Sequence, residues 1–373
     1  MQTNSSYRKA LAAIMVASLG MFGTISATES QTEDPLTATS TESKSTSSSS
    51  FSVKDDVKKY LPTIHGVIRG RWEGAFAHDG QPFEQRFQVR NARVSAEGKI
   101  LPQISYFIQI DCSDRGTMKF LDAYGQFDIS KHWKFRGGQF RVPYGVDCFR
   151  KPGNYFFANR AFLVKDMFNN RAVGARIGYY GTKVPVTVEA GMFNASGIAN
   201  HTPWQRGMLY AAKALYTIDN VKISASFASS SPDSVRMNFA GGCIGYYNDR
   251  WTIEGEYMRN WYAHHLHKSS DGWNIFADYS MPVKAGIFRR LSFQGRYDGM
   301  TARSNGVRNK QGNLVTNYPT RQRITLGTSI AYLQKPLKVL IRLNYEKYFY
   351  KDSEFVPTND YSDKIVAEMV LTF

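Results

Sequence analysis

From Thr63 onward, apolar and polar side chains alternate with a period of two, which is the pattern of β-strands with one apolar face. In the first such run, Ile64 and Ile68 fall on one face, whereas Arg69 and Arg71 fall on the other. Each segment with this pattern has about 10 to 15 residues, the length of a tilted strand that crosses a bilayer. The sixteen segments are 63–77, 83–97, 102–112, 119–130, 132–143, 171–181, 184–193, 207–217, 220–229, 235–247, 250–261, 271–281, 288–298, 321–333, 338–350 and 362–373.

The connections between these segments alternate in length. Turns that follow even-numbered segments are short, as at Asp219-Asn220 and Asn248-Asp249, and the first of them is predicted at Gly98-Lys99. The opposite side includes the long connections 144–170, 194–206, 262–270, 299–320 and 351–361, although its first, second and fifth loops are short. Tight periplasmic turns and longer external loops are typical of outer-membrane barrels. The predicted fold is therefore all-β, a 16-stranded antiparallel transmembrane β-barrel.

The third external loop, residues 144–170, is the longest connection and is rich in bulky apolar side chains. These are Tyr155, Phe156, Phe157, Phe162, Leu163 and Phe168. So many apolar side chains are unfavourable in a loop exposed to water, whereas packing on the inner wall of the barrel would bury them. We therefore expect the third loop to fold into the barrel and narrow the pore. The alternative is a loop that packs over the barrel mouth or at a subunit contact.

The N-terminal part of the chain has a different composition. Residues 1–27 combine a basic start, an apolar stretch and small residues at the end, which predicts a secretory signal peptide. Residues 28–60 include a run, 37–50, in which 11 of 14 residues are Ser or Thr, and this composition predicts a flexible periplasmic segment. We expect the β-barrel to occupy residues 61–373 and to lie in the outer membrane of a Gram-negative bacterium.

The net charge of the 373-residue chain is +16, and the barrel segment carries all of this excess, with 41 basic against 25 acidic residues. The mean hydropathy of −0.39 argues against a bundle of membrane helices. A basic folded body favours anionic partners. For an exported protein we expect small anions such as phosphate, outer-membrane lipid and lipopolysaccharide, and no nucleic acid.

Sixteen strands leave an aqueous channel, so the polar face of each strand lines water. A lumen rich in cations favours anions, and the arginine guanidinium group matches phosphate oxygens in pairs. A bulge expected at Gly137-Gly138 would turn Arg141 inward. The candidates for the pore lining and anion path are Arg69, Arg71, Arg86, Arg90, Lys134, Arg136, Arg141, Arg150, Lys151, Arg160, Lys165 and Arg176. The alternative is a mixed polar wall without selectivity.

Several stretches of the barrel segment resemble the phosphate-selective porin O/P family. They are Ile64–Trp72, Val89–Val94, Glu97–Lys99, Gly138–Gly145, Phe157–Arg160, Arg296–Asp298 and Leu343–Glu346. The resemblance implies a trimeric sixteen-stranded barrel, a third loop folded inside it and a cationic path for anions. Family members often have an acid just before the loop arginine, where this chain has Asn159.

Two other classes of function compete with an anion-selective porin and with a non-selective general porin. An outer-membrane enzyme would need a catalytic motif, and neither G-x-S-x-G nor H-E-x-x-H occurs in the sequence. The histidines at 264, 265 and 267 lack neighbouring acids, so we expect no metal, no cofactor and no catalysis. The other class is a non-conducting receptor. Cys112 and Cys148 are both predicted on the external side, where they could approach each other.

Overall fold

The computed structural model describes residues 61–77, 80–114, 117–168, 171–198, 204–231, 235–334, 336–351 and 356–373. These residues form one closed barrel of sixteen antiparallel strands. The strands are β1 Thr63–Ala75, β2 Glu84–Leu101, β3 Ile104–Asp114, β4 Thr117–Asp128, β5 Trp133–Arg141, β6 Arg171–Tyr180, β7 Val186–Asn194, β8 Met208–Ile218, β9 Val221–Ser230, β10 Met237–Tyr247, β11 Trp251–Tyr262, β12 Ser270–Ala285, β13 Phe288–Met300, β14 Arg321–Gln334, β15 Leu337–Tyr350 and β16 Lys364–Thr372. All sixteen predicted segments are thus confirmed as strands. The predicted signal peptide and Ser/Thr-rich segment lie outside the described residues.

Each strand pairs with its neighbours in the chain, and the last strand pairs with the first. The closing pair runs from Val67 opposite Thr372 to Ala75 opposite Lys364. Closure leaves no unpaired sheet edge among the described strands, and this is what a sheet needs in a bilayer, where no water can satisfy free backbone groups.

The alternation of side chains separates an apolar outer face from a polar inner face. On β1, Ile64 and Ile68 are 55% and 41% exposed, whereas Arg69 and Arg71 on the opposite face are only 2% and 7% exposed. The same arrangement recurs around the barrel, with outward apolar side chains such as Phe87 at 85% exposure. The charged side chains therefore lie inside, and the apolar face is the one available to lipid.

The structure corrects two local predictions. The first short turn lies at Pro102-Gln103, because β2 continues through Gly98-Lys99 to Leu101 after an irregularity at Ile100. The bulge expected at Gly137-Gly138 is not found in the described register, which runs without a shift along β5. Gly138 instead adopts φ +129°, and a Cβ there would lie 2.3 Å from the carbonyl oxygen of Ala123. The close approach of β4 thus explains the glycine.

Short helical turns occur only in the connections of the described part of the chain. They are Asp147–Phe149, Pro152–Asn154 and the π-helical turn Leu163–Met167 in the third loop, then Ala263–His265 and Asn359–Tyr361. No helix among the described residues is long and apolar enough to span a membrane.

The three cysteines are all described, and each is a free thiol, so the expected approach of two of them does not give a disulfide. Cys112 is exposed, whereas Cys148 is buried and donates a hydrogen bond from its Sγ to the carbonyl oxygen of Tyr144 at 2.6 Å. Burial raises the pKa of the Cys148 thiol to about 12, which keeps it protonated.

Candidate functional site

The backbone of the third loop is anchored by acidic side chains of the barrel wall. Glu256 on β11 accepts hydrogen bonds from the N–H groups of Val146 and Asp147 at 2.6 and 3.1 Å. Asp298 on β13 accepts one from the N–H group of Phe162 at 2.9 Å. Both carboxyl groups are buried, so they satisfy loop N–H groups that would otherwise lack an acceptor.

Wall cations bind the carbonyl oxygens of the same loop. Arg69 of β1 donates to Ala158 and Arg342 of β15 donates to Tyr155, both at 2.7 Å. The further donors are Lys213 to Gly145, Arg296 to Asn159, Arg323 to Arg160 and Lys338 to Gly153. These side chains stabilise backbone groups of the loop that would otherwise be buried without partners.

The donors and acceptors lie on strands from different sides of the closed barrel, including β1, β8, β11 and β15. These contacts join the third loop to wall side chains around the barrel. Its apolar side chains are buried, with Phe162, Leu163 and Phe168 at 1%, 0% and 2% exposure. Phe168 packs on Tyr144 and on Phe239 of β10, with ring centroids 4.3 and 5.0 Å apart.

A cluster of arginines surrounds Tyr155 of the third loop. The guanidinium carbons of Arg69 and Arg160 lie 4.9 and 5.0 Å from the centroid of its ring. Burial would raise the pKa of the Tyr155 phenol, but the positive charges of Arg160, Arg93, Arg141 and Arg69 hold this pKa below its usual value. The lowered pKa indicates that the electrostatic potential at Tyr155 is positive. We call these four arginines and Tyr155 the Tyr155 cluster.

Three acids pair with arginines of the Tyr155 cluster. The pairs are Arg69 with Glu368 at 3.1 Å, Arg93 with Asp111 at 2.8 Å and Arg160 with Asp147 at 3.6 Å. Two of these carboxylates are also shared, Glu368 with Arg342 and Asp147 with Arg150. Burial would raise the pKa of Asp147, but Arg150 and Arg160 keep it below its usual range. These acids offset part of the positive charge, but the four arginines still lower the pKa of the Tyr155 phenol, so the potential at its ring is positive.

Other candidate arginines are tied into pairs elsewhere on the wall. Glu73 accepts Arg71 at 2.9 Å and Arg86 at 2.6 Å. In the third loop, Arg150 pairs with Asp147 at 2.5 Å and with Glu254 of β11. Attraction by these two acids raises the pKa of Arg150 despite its burial. These cations hold the structure together and add little net charge.

Lys134, Arg136 and Arg176 form a second basic patch on β5 and β6, separate from the Tyr155 cluster. Arg136 lies opposite Arg176 in the register and 3.9 Å from the ring centroid of Tyr124. Lys134 pairs with Asp128 at 3.4 Å, and Arg176 pairs with Glu189 at 2.7 Å.

The remaining candidates are placed apart from both groups. Lys151 is exposed, with its Nζ 5.9 Å from the ring centroid of Phe107. Lys165 is also exposed and lies 3.6 Å from the ring centroid of Tyr361. Arg90 is exposed at a bulge in β2 and has no register partner on β1.

The bulge at Arg90 also explains why the sequence pattern did not identify Arg93. Arg69 lies opposite Asn91, whereas the next residue, Gly70, lies opposite Val89. The inward positions of β2 therefore change parity and fall on Asn91 and Arg93. A strict period of two continues from Arg86 through Arg90, so only the register of the folded sheet reveals the change.

Among the described residues, no three His, Cys, Asp or Glu side chains are grouped as a metal ion would require. His264 and His265 have left-handed backbone angles, with φ of 56° and 53°, at the external end of β11.

Comparison with known proteins agrees with the geometry. Residues 72–255 match the family model "Phosphate-selective porin O and P", so the resemblance seen in the sequence is confirmed. Comparison with curated protein sequences gave no match.

Three solved structures illustrate the likeness in fold. The anion-selective porin from Comamonas acidovorans has a TM-score of 0.60 and 11% identity, over 83% of this chain and 98% of that chain. OmpF of Salmonella typhi, in complex with daunomycin, has a TM-score of 0.58 and 12% identity, over 85% and 99%. OmpT of Vibrio cholerae in its trimer form has a TM-score of 0.53 and 10% identity, over 84% and 98%. At these identities the likeness shows a shared barrel fold.

Proposed function

We propose, from the match of residues 72–255 to the phosphate-selective porin O and P family, that this chain is an outer-membrane porin. Its barrel forms a water-filled channel for passive diffusion of small solutes, and the channel favours anions. The positive electrostatic potential at Tyr155, where Arg69 and Arg160 lie against its ring, is the observation that supports anion preference most directly.

Selectivity in such a channel needs no chemical step and no cofactor. Guanidinium groups replace part of the hydration shell of an entering anion and attract it electrostatically. The acids that pair with Arg69, Arg93 and Arg160 moderate this attraction, so that the anion can leave again. Phosphate is the proposed anion because guanidinium groups donate to its oxygens in pairs. The protein is accordingly proposed not to be an enzyme.

The same proposal includes the cellular location of the barrel, its lipid contacts and its oligomeric state. We place the barrel, residues 61–373, in the outer membrane of a Gram-negative bacterium, with residues 1–27 as its signal peptide and residues 28–60 as a flexible periplasmic segment. The outward apolar side chains would contact lipid, and the exposed basic side chains of external loops, such as Lys310, would contact lipopolysaccharide. A homotrimer is proposed on the family resemblance and on the trimer form of OmpT.

The test is the reversal potential of the purified protein in a planar bilayer under a potassium chloride gradient, followed by titration with phosphate. We expect anion selectivity and a concentration-dependent block by phosphate. Arg141→Gln and Arg160→Ala should both shift the reversal potential towards that of a non-selective pore and weaken the block. Lys310→Ala, which removes one exposed external charge, is the matched control and should change neither.

Two outcomes would contradict the proposal. Conductance without selectivity would make the protein a general porin. A correctly folded trimer without conductance would favour a receptor.

A further inference from the structure

Between the third loop and the short turns of the barrel lies a polar cavity of about 230 Å³. It extends from Tyr155 and Phe156 of the loop to the turn between β10 and β11, where it reaches Asp249 and Arg250. By contrast, the space between Asp147, Arg160 and Arg296 beside the loop is only about 10 Å³, which is room for roughly one water molecule. The larger cavity can therefore hold a molecule much bigger than one phosphate ion.

Cations form one part of the lining. Arg290, Lys338 and Arg342 line the cavity together with Arg250, against the two acids Asp249 and Asp278. Arg342 is 1% exposed; its Nη1 atom lies 3.5 Å from Glu368, and its Nε atom has no hydrogen-bond partner among the described residues. The Nε atom of Arg290 is also without one. This part of the cavity suits an anionic group with several acceptor oxygens.

A network of amide and hydroxyl groups forms another part of the lining. Gln294 donates from its Nε2 atom to Asp278 at 2.8 Å and to Ser329 at 2.9 Å. The Oγ atom of Ser280 donates to the same Asp278 carboxylate at 2.9 Å. Both oxygens of Asp278 are thus engaged, so this acid is held by the network.

The Oε1 atom of Gln294 has no hydrogen-bond partner in the described part of the chain, although the residue is only 7% exposed. A buried amide oxygen of this kind is an acceptor for the hydroxyl group of a ligand, since leaving it unpaired costs free energy. Asn154, Asn248 and Thr252 add further polar side chains to the lining. An inorganic anion alone would use the cations and leave these groups unused.

We propose that this cavity binds a small phosphorylated polyol, such as a sugar monophosphate, with its phosphate at Arg290, Lys338 and Arg342 and its hydroxyls at Gln294, Ser280 and Ser329. This inference rests on the proposed function and gives its solute class. Tyr155 and Phe156 add apolar ring surface above the bound molecule. Because the cavity lies on the short-turn side of the third loop, we expect the site to be reached most directly from the periplasmic compartment.

The experiment compares three probes in planar bilayers: glucose 6-phosphate, inorganic phosphate and glucose. In the wild-type channel, glucose 6-phosphate should block at a concentration about tenfold lower than phosphate, as expected for one or two added hydrogen bonds. Glucose should not block in the same range. Gln294→Leu should bring the blocking concentration of glucose 6-phosphate close to that of phosphate. The matched control, Gln88→Leu, changes a glutamine of the inner wall outside the cavity and should keep the tenfold difference.

The outcomes separate this inference from the proposed function. The chloride reversal potential, measured in the same membranes, tests anion preference by itself. If anion preference is present but glucose 6-phosphate and phosphate block equally in the wild-type channel, the sugar-phosphate site is wrong and the porin stands. Equal block by glucose would overturn the role given to the three cations. If Gln294→Leu does not fold, Ser329→Ala offers a milder change to the same network, with the same expected direction.

Discussion

Arg69 on the first strand and Glu368 on the last form a buried ion pair across the seam at which the barrel closes, with Arg69 Nε 3.1 Å from Glu368 Oε1. The same arginine donates to the carbonyl oxygen of Ala158 in the third loop at 2.7 Å. Glu368 also pairs with Arg342 of β15 at 3.5 Å. Through Arg69, the Glu368 carboxylate therefore connects the two closing strands to the third loop.

This relationship predicts that Glu368→Gln destabilises the barrel. The substitution keeps the shape of the side chain but leaves Arg69 and Arg342 without a common counter-charge. Removing one partner of a buried pair costs about 3 kcal/mol or more, because a buried charge is left uncompensated. The measurement is the free energy of unfolding in urea for the protein in detergent. Glu97→Gln, at an exposed pair with His65, is the control and should change stability little. Equal stability of the two variants would show that the seam does not depend on this charge.

The left-handed backbone at Gly138 predicts a strong difference between two neighbouring glycines. Gly138→Ala places a Cβ 2.3 Å from the carbonyl oxygen of Ala123, at φ +129°, so β4 and β5 must separate. We expect a loss of about 2 kcal/mol or more. Gly137→Ala meets nothing closer than 3.7 Å and should be tolerated. The yield of heat-resistant folded barrel on a gel compares the two variants directly, and similar yields would contradict the close approach of the strands.

The anchoring of the third loop predicts that Glu256→Ala enlarges the open channel. The change removes the acceptor for the N–H groups of Val146 and Asp147. Each such hydrogen bond contributes about 0.5 to 1.5 kcal/mol, so the loss of both should make the start of the loop mobile. Single-channel recordings should then show a higher and noisier conductance. The matched control is Glu189→Ala, because Glu189 faces the lumen but pairs with Arg176 of the wall. An unchanged conductance in Glu256→Ala would mean that the other contacts suffice to hold the loop.

The barrel was predictable from the sequence because a strand that separates lipid from water must alternate apolar and polar side chains. This alternation is visible along the chain. The inward position of Arg69 and Arg71 followed from it directly. The contacts that these inward arginines make could not be predicted from the alternation. Arg69 binds Ala158, 89 positions away, and Arg323 binds the carbonyl oxygen of Arg160, 163 positions away. Contacts this remote are set by how the loop lies in the closed barrel, which the pattern does not encode.

Local irregularities limited the prediction in a second way. A bulge at Arg90 moved the inward face of β2 onto Arg93, and the glycine pair of β5 kept its register although a bulge was expected there. One extra residue reverses which side chains face inward. The number of strands was therefore predictable, and Arg69, Arg141 and Arg160 were among the candidates, whereas Arg93 was missed.

The position of Tyr155 among four arginines predicts that anion selectivity falls as the pH rises. The pKa of the phenol is held below its usual value near 10 by these cations, against the effect of burial. When the pH passes the lowered pKa, the phenol loses its proton and becomes a phenolate, whose negative charge offsets one unit of the positive charge of the arginines. The chloride reversal potential should therefore shift towards that of a non-selective pore below pH 10. Tyr155→Phe cannot ionise, so its selectivity should stay constant over this range, while Tyr210→Phe on β8 outside the cluster should behave as the wild type. A wild-type channel whose selectivity does not change up to pH 10 would show that the cluster does not control the passage of anions.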